Sequence, residues 1–272
     1  MDYGIANLHG RVEKKEVFRI LELAWESGIT YFDTAPSYEA EAILGEFISI
    51  NCLQDQAKVI TKIPPLREEV NYQEFITRSV VLSIKQLGCP IEALLFHDAR
   101  DSRLLLSEPE YFGRLIRQHP ISYLGASVYE PEEVEGLENC EIELAFEFPF
   151  NILDRRFEHV QMPLGRRFAR SIFMQGLLAS PNKLRRGAPE ELFNLREQYF
   201  NFLAEHDLDP VEAAVSFVFH SDSVDQFLVG VDSQAQLQKI IDLKTITIQN
   251  LKILRELTIA ASQRWFDPRQ WN

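Results

Sequence analysis

The chain has 272 residues and a formal net charge of −13. This acidic balance argues against a nucleic-acid or anionic-membrane partner, because phosphate binding needs clustered Lys and Arg. Apolar residues make up 46% of the chain, which excludes a disordered protein, and no apolar run approaches the ~20 residues that span a bilayer.

Cysteine spacing and the first residues bear on where the protein works. Cys52, Cys89 and Cys140 are few and widely spaced, so they indicate neither a disulfide framework nor a metal site. Residues 1–10 lack the basic start and apolar middle of a signal peptide. We therefore expect a soluble, cytoplasmic protein without a metal ion. No feature of the sequence indicates an oligomeric state.

Short β-rich apolar runs recur along the chain and predict seven strands. Most are apolar at consecutive positions, as expected of parallel strands that are buried on both faces. The runs cover residues 29–32, 59–60, 93–96, 121–124, 142–146, 172–173 and 227–229.

Segments with helical spacing lie between these runs. Gly28 and Gly88 end two of them, and Pro210 suits the first turn of another. The predicted helices cover residues 16–27, 72–87, 192–204, 210–219, 234–243 and 249–261. Alternating strands and helices predict an α/β protein with parallel strands and right-handed crossovers.

The strand–helix units favour a closed (β/α)8 barrel of the TIM type as one domain over residues 1–272. They continue without a break in composition, and no Gly-rich phosphate loop follows the first strand. An open doubly wound sheet is the alternative. Residues 1–11 contain no apolar run, so we expect the first barrel strand to be missing or replaced. A complete strand there would contradict this prediction.

Polar residues end several predicted strands, which places them at the carboxyl-terminal mouth of a barrel, where catalytic groups are carried. Asp33, Lys62 and His97 end consecutive strands, and Tyr38 follows Asp33 on the same loop. A tyrosine has an ordinary pKa of ~10, and a neighbouring lysine stabilises its ionised form. An aspartate would keep the lysine charged, and a histidine would orient a carbonyl oxygen. Together these four residues predict a general acid aimed at an oxygen on which negative charge develops.

Several segments resemble signatures of the aldo-keto reductases. Residues 28–38 (GITYFDTAPSY) resemble the first signature, residues 59–62 (VITK) the lysine strand and residues 94–98 (LLFHD) the histidine strand. Residues 83–88, 125–127, 151–155 and 176–178 also match in order and spacing. The resemblance extends from Glu13 to about Ile241.

The resemblance implies a (β/α)8 barrel that reduces a small aldehyde, ketone or sugar-like carbonyl compound with hydride from NADP or NAD. Tyr38 would be the proton donor and Lys62 would lower its pKa. Asp33 would pair with Lys62, and His97 would orient the carbonyl. The resemblance also implies a set of cofactor-binding residues: Ser127, Glu147, Ser171, Gln175, Gly230 and Gln236.

Other positions depart from the family pattern. Glu39 and Val128 stand where Gly and Asn are usual, and Glu147 replaces a usual Gln. Asp232 lies where many relatives present a basic residue to the 2′-phosphate of NADPH, and it would repel that group. A redox-inactive barrel that binds carbohydrate, or that has a structural or regulatory role, is therefore the rival hypothesis. A third is that the chain is a fragment of a longer enzyme.

Simpler explanations exist for single residues. Asp33 could cap a helix, His97 could bond to core backbone, and Ser127 and Glu147 could only satisfy loop amides. A basic group is expected to pair with the acidic excess, although it could attract a phosphorylated or carboxylated substrate. It consists of Arg166, Arg167, Arg170, Lys183, Arg185 and Arg186.

Overall fold

The computed structural model of the chain describes residues 12–38, 40–67, 71–180, 189–243, 247–257, 259 and 263–267. The chain divides into two compact units. The strand-rich unit comprises Ala24–Phe148 and Val160–Phe168, and the second unit comprises Met1–Leu23, Pro149–His159 and Ala169–Asn272. In the described part of the chain, no helix combines the length and apolarity needed to cross a membrane.

The described strands form a seven-stranded sheet in which they follow one another in chain order. The first five pair in parallel with their neighbours, as the sequence predicts. The third to fifth are almost wholly buried along their carboxyl-terminal halves. These five are β1 (Tyr31–Asp33), β2 (Lys58–Ile63), β3 (Ile91–Phe96), β4 (Ile121–Ser127) and β5 (Leu144–Pro149).

Helices follow or precede these strands, and one of them has a capping side chain at its start and the predicted glycine at its end. α3 begins after Asn71, whose side chain accepts from the backbone of Glu74, and ends at Gly88, which has a φ of 67°. Three helices were not predicted: α2, α4 and α5. Buried residues occupy half of α2, which blurs its helical period, α4 has only four residues, and α5 contains a glycine, Gly113. The five helices are α1 (Lys14–Glu26), α2 (Glu41–Ile50), α3 (Tyr72–Leu87), α4 (Leu104–Ser107) and α5 (Pro109–Gln118).

Gly125 and Gly45 are two of the glycines that allow close backbone contact in the strand-rich unit. A Cβ atom on Gly125 of β4 would lie 1.6 Å from the carbonyl oxygen of Ala145 in β5. A Cβ atom on Gly45 of α2 would lie 1.9 Å from the carbonyl oxygen of Gln86 in α3. Any side chain at either position would therefore force backbone apart, which fixes glycine at both.

The second unit is mainly helical. Three of its helices begin at capping side chains that accept backbone N–H groups: Asp209 for α7, Ser233 for α8 and Thr247 for α9. The helices are α6 (Glu190–Glu205), α7 (Pro210–Phe219), α8 (Gln234–Ile241) and α9 (Ile248–Glu256). The first three lie close to their predicted bounds, whereas α9 ends five residues before the predicted Ala261. Of residues 257–261, residues 258, 260 and 261 lie outside the described ranges.

The prediction of a strand at residues 172–173 is wrong. Those residues lie in a series of turns, and the sixth strand, β6 (Gly165–Arg170), precedes them. Only Phe168 and Ala169 are buried in β6, so a search for apolar runs overlooks it. The last strand, β7 (Gln226–Phe227), begins one residue before the predicted start.

Two predictions about the chain as a whole stay predictions. The missing or altered first strand concerns residues 1–11, which lie outside the described ranges. A single domain over residues 1–272 is likewise still a prediction.

Candidate active site

Lys62 is the centre of the site in the strand-rich unit. It is the fifth residue of β2 and is only 1% exposed. A lysine ammonium has three N–H donors, and three acceptors surround this one. Its Nζ contacts the Asp33 carboxylate, lies 2.9 Å from Oε2 of Glu147 and donates to the carbonyl oxygen of Thr34 at 3.2 Å. The lysine is therefore held by groups from β1, from the residue after it, and from β5.

The parallel register explains why these residues meet. Asp33 is the last residue of β1 and pairs with Ile60, two residues before Lys62 on β2. Glu147 on β5 pairs with Ser127, the last residue of β4. Because all five strands run the same way, their carboxyl ends bring polar side chains to one side of the unit. The sequence-based expectation that Asp33 and Lys62 meet is confirmed.

Tyr38 and His97 lie beside this cluster. Tyr38 ends a 3-10 turn (Pro36–Tyr38) that follows β1, and His97 follows the last residue of β3. Their rings meet edge to face, with centroids 6.2 Å apart and an interplanar angle of 86°. The Lys62 Nζ lies 5.8 Å from the centroid of the Tyr38 ring. All four residues predicted to be catalytic are thus brought together.

A buried hydrogen bond that the sequence does not reveal fixes the loop carrying Tyr38. Thr61 Oγ1 donates to Oε1 of Glu41 at 2.7 Å, and both residues are at most 2% exposed. Glu41 begins α2, three residues after Tyr38, and Thr61 is next to Lys62 on β2. The bond therefore ties the start of α2 to the strand that carries the lysine. Glu41 follows the segment that resembles the first signature, but the sequence does not indicate that it bonds to Thr61.

Charges in the cluster perturb its titration. Burial first, and the charge of Glu147 second, raise the pKa of Asp33 to about 7, against the opposing effect of Lys62. The Asp33 side chain keeps 24% of its surface exposed, so water screens part of this rise in its pKa. Burial alone would lower the pKa of Lys62, but Asp33, Glu147 and Tyr38 outweigh it and raise that pKa.

Two of the residues predicted to bind a cofactor are neighbours in the strand-rich unit. Ser127 Oγ donates to Oε1 of Glu147 at 3.3 Å, and both side chains are buried. While the hydroxyl donates to the carboxylate, the pair still presents several acceptor sites, which suits the NH2 group of a carboxamide. These two residues therefore fit the carboxamide of a nicotinamide cofactor. The hydroxyl oxygen of Thr34, also buried, has no hydrogen-bond partner among the described residues.

The other four residues predicted to bind a cofactor lie in the second unit. Ser171 and Gln175 have φ values of 58° and 53°, in a turn that follows β6. Gly230 is exposed after β7. Gln236 lies in α8, where its Oε1 accepts from the backbone N–H of Asp232 at 2.7 Å. Positive φ values are costly for residues with side chains, and such strain often occurs at binding sites.

The amino-terminal end of α8 carries negative charge. The backbone N–H of Gln234 donates to Oε1 of Glu16 at 3.0 Å, and that hydrogen bond is the main reason the pKa of Glu16 is lowered. Ser233 caps the helix, and Asp232 precedes the cap. The partial positive charge of the helix dipole at a helix start normally favours an anion. At the start of α8 the Glu16 carboxylate already occupies that position.

No three His, Cys, Asp or Glu side chains are placed to share a metal ion in the ranges that the structure describes.

Comparison with known proteins identifies the family and the fold. The model of the Aldo/keto reductase family matches residues 1–259. The holo form of aldo-keto reductase AKR11C1 from Bacillus halodurans superposes with a TM-score of 0.75 at 22% identity, over 92% of this chain and 90% of that chain. Its apo form gives a TM-score of 0.69 at the same identity, over 92% and 89%. The fold is thus α/β, of the (β/α)8 TIM-barrel type.

Two relatives resemble the chain in sequence. It is 25% identical to a D-threo-aldose 1-dehydrogenase from Pseudomonas sp, over 87% of this chain and 86% of that protein. It is 22% identical to a pyridoxal 4-dehydrogenase from Microbacterium luteolum, over 86% and 85%. The protein is an oxidoreductase. It belongs to the aldo/keto reductase family, whose members are NAD(P)H-dependent carbonyl oxidoreductases.

Proposed function

We propose that this enzyme reduces a small aldehyde, ketone or sugar-like carbonyl compound, with Tyr38 as the proton donor. The observation that carries the proposal is the cluster around Lys62, in which an acid, an amine, a phenol and an imidazole adjoin one another. The names of the two dehydrogenase relatives, for an aldose and for pyridoxal, support a small polar carbonyl substrate.

Each residue of the cluster has a separate task in carbonyl reduction. The Tyr38 hydroxyl donates its proton to the carbonyl oxygen as negative charge develops there. The Lys62 ammonium stabilises the phenolate that remains, and Asp33 holds that ammonium in place. The His97 ring contacts the Tyr38 ring edge to face, and His97 orients the carbonyl oxygen toward the Tyr38 hydroxyl.

A nicotinamide cofactor supplies the hydride when it is bound. Ser127 and Glu147 would hold the NH2 group of its carboxamide, since the hydroxyl already donates to the carboxylate and the pair offers the remaining acceptor sites. In the second unit, Ser171, Gln175, Gly230 and Gln236 are proposed as nucleotide contacts on the family resemblance alone.

We propose NAD(H) as the preferred nucleotide, although the family uses either. The start of α8 is where many relatives place a basic residue on the 2′-phosphate of NADPH. Here Glu16 already accepts the N–H of Gln234, and Asp232 lies beside it. A doubly charged phosphate would meet carboxylates instead of a cation.

Removal of one hydroxyl tests the proposed role of Tyr38. In Tyr38→Phe we expect reduction of small aldehydes by NADH to fall at least about 100-fold, as for loss of a general acid. Tyr31→Phe is the matched control, because its hydroxyl contacts Glu92 and Lys58 at the other end of β1. Initial rates are followed by the absorbance of the reduced cofactor, and melting temperatures report on the fold.

Two results would argue against this function. Full activity of Tyr38→Phe would remove Tyr38 as proton donor. Failure of the wild-type protein to bind either NADH or NADPH in isothermal titration would favour the redox-inactive barrel instead. Micromolar binding of either nucleotide excludes that rival.

A further inference from the structure

One lysine in the site is shared by two carboxylates. Lys62 Nζ contacts Asp33 and also lies 2.9 Å from Glu147, and Glu147 is only 3% exposed. A single ammonium neutralises one carboxylate, so the three groups together carry one net negative charge when all are ionised. The groups that face this cluster come from every neighbouring strand end: the Thr34 carbonyl, Tyr38, His97 and Ser127, with the Glu41–Thr61 pair beside Lys62 on β2.

The extra carboxylate changes what Lys62 can offer Tyr38. The carboxylates of Asp33 and Glu147 and the carbonyl oxygen of Thr34 all lie around the ammonium, and the contact with Oε2 of Glu147 is an ion pair without hydrogen-bond geometry. A phenolate on Tyr38 would therefore approach a lysine whose positive charge is already shared by two carboxylates. Without the charge at residue 147, the charges of the lysine and Asp33 balance each other.

We propose that Glu147 is a positioning residue that draws the Lys62 ammonium away from Tyr38 and so keeps Tyr38 protonated to higher pH. The consequence of this effect for catalysis rests on the proposed function of Tyr38. Reduction needs Tyr38 as an acid, whereas alcohol oxidation needs the phenolate as a base. The enzyme is therefore biased toward reduction near neutral pH, and it oxidises alcohols efficiently only in alkaline solution.

The competition between the carboxylates has a second sign in the structure. After burial, Glu147 is the largest cause of the raised pKa of Asp33. Two acids that contend for one cation destabilise each other's ionised form. The same field acts on any further negative charge that forms next to Lys62.

A titration of Tyr38 tests the proposal without turnover. Tyrosinate absorbance of the cofactor-free protein is followed against pH, and the curve of Tyr38→Phe is subtracted to isolate Tyr38. The same difference is measured in the Glu147→Gln background. We expect the Tyr38 midpoint to fall by about one pH unit or more when the charge at 147 is removed. An unchanged or higher midpoint would overturn the proposal.

Two further variants separate charge from general disturbance. Glu147→Asp keeps the charge, so its midpoint should stay closer to that of the wild type than to that of Glu147→Gln. Glu41→Gln removes a different buried carboxylate of the same unit, one that bonds Thr61 and has no contact with Lys62 among those described. Its midpoint should equal that of the wild type. A fall in Glu41→Gln as large as in Glu147→Gln would contradict a specific role for Glu147.

The wild-type protein gives a result even if Glu147→Gln does not fold. The proposal requires its Tyr38 midpoint to lie at or above the ordinary tyrosine value of ~10. A midpoint well below that value would refute it.

A kinetic measurement links the titration to the reaction. In Glu147→Gln we expect kcat for alcohol oxidation, measured at saturating substrates and neutral pH, to rise about tenfold relative to kcat for carbonyl reduction, which corresponds to one pH unit. The oxidation profile should move to lower pH together with the titration midpoint. If Tyr38→Phe keeps full activity, the proposed function fails, while a shifted midpoint would still support the effect of Glu147 on Tyr38. A midpoint that moves without the profile would refute the proposed bias toward reduction.

Discussion

Replacement of Lys62 by methionine tests the energetic role of the buried cluster. Methionine is an unbranched side chain that can occupy similar space, so the main loss is the ammonium. At 2.9 Å and an effective dielectric constant of ~20, the attraction between Lys62 and Glu147 is about 6 kcal/mol. Desolvation of the ions cancels much of this gain. We therefore expect Lys62→Met to lower the free energy of unfolding by about 3–5 kcal/mol at pH 9, the usual cost of breaking a buried ion pair.

The loss should depend on pH with a definite sign. In the variant, Asp33 and Glu147 face each other without a cation, so their folded-state pKa values exceed those of the unfolded chain. Groups of this kind destabilise the fold above their unfolded pKa of ~4, and the effect grows until the pH passes the folded pKa. The raised pKa of Lys62 adds stability that is fully present below ~10.5, so it is constant over this range. The variant should thus lose much less stability at pH 5 than at pH 9.

Urea unfolding at pH 5, 7 and 9, followed by circular dichroism, measures these losses. Lys58→Met is the matched control, because Lys58 lies on the same strand, is 44% exposed at its side chain and approaches Glu92 only to 3.9 Å. We expect it to lose less than about 1 kcal/mol at every pH. The reasoning is refuted if Lys62→Met loses no more than this control at pH 9, or loses more at pH 5.

Three further predictions concern packing, capping and nucleotide choice. Gly125→Ala should lower the free energy of unfolding in urea by at least about 3 kcal/mol, because the added Cβ meets backbone atoms. Gly113→Ala is the control in α5: its added Cβ meets only a flexible guanidinium, so the free energy of unfolding should rise by about 0.5–1 kcal/mol. Asp209→Ala removes the α7 cap and should cost about 1 kcal/mol at pH 7. Although burial opposes it, backbone hydrogen bonds lower the pKa of Asp209, so this cost should vanish as the pH falls through that pKa. Isothermal titration should show tighter binding of NADH than of NADPH, and the double variant Glu16→Gln/Asp232→Asn should narrow that gap by strengthening NADPH binding.

The sequence predicts the catalytic side of the strand-rich unit well for a simple physical reason. Parallel strands that are buried on both faces show as apolar runs, and the polar residue that ends each run must lie at the carboxyl edge. Asp33 and Lys62 satisfy this rule, and they meet in the structure. His97 satisfies it as well, and its ring contacts that of Tyr38.

The same rule fails where a strand is not apolar. β6 contains three arginines and only two buried residues, so its signal is weaker than that of the turn at residues 172–173, which contains a pair of apolar residues. Backbone hydrogen bonds with neighbouring segments define this strand. The N–H of Leu144 donates to the carbonyl oxygen of residue 164, that of Phe150 to residue 170 and that of Leu228 to residue 169. Such long-range hydrogen bonds leave no periodic pattern in the sequence.

The division of charge around Lys62 also lies beyond sequence reasoning. Glu147 is recognisable as a departure from a usual glutamine, yet nothing in the sequence tells which cation it meets. Its partner follows only from two features of the structure. The register pairs Glu147 on β5 with Ser127 on β4, and the side chain of Lys62 on β2 is long enough to reach Glu147. A lysine that is 1% exposed needs acceptors for all its N–H groups. The acceptors that stabilise the buried Lys62 ammonium thus also reduce its ability to stabilise a negative charge on Tyr38.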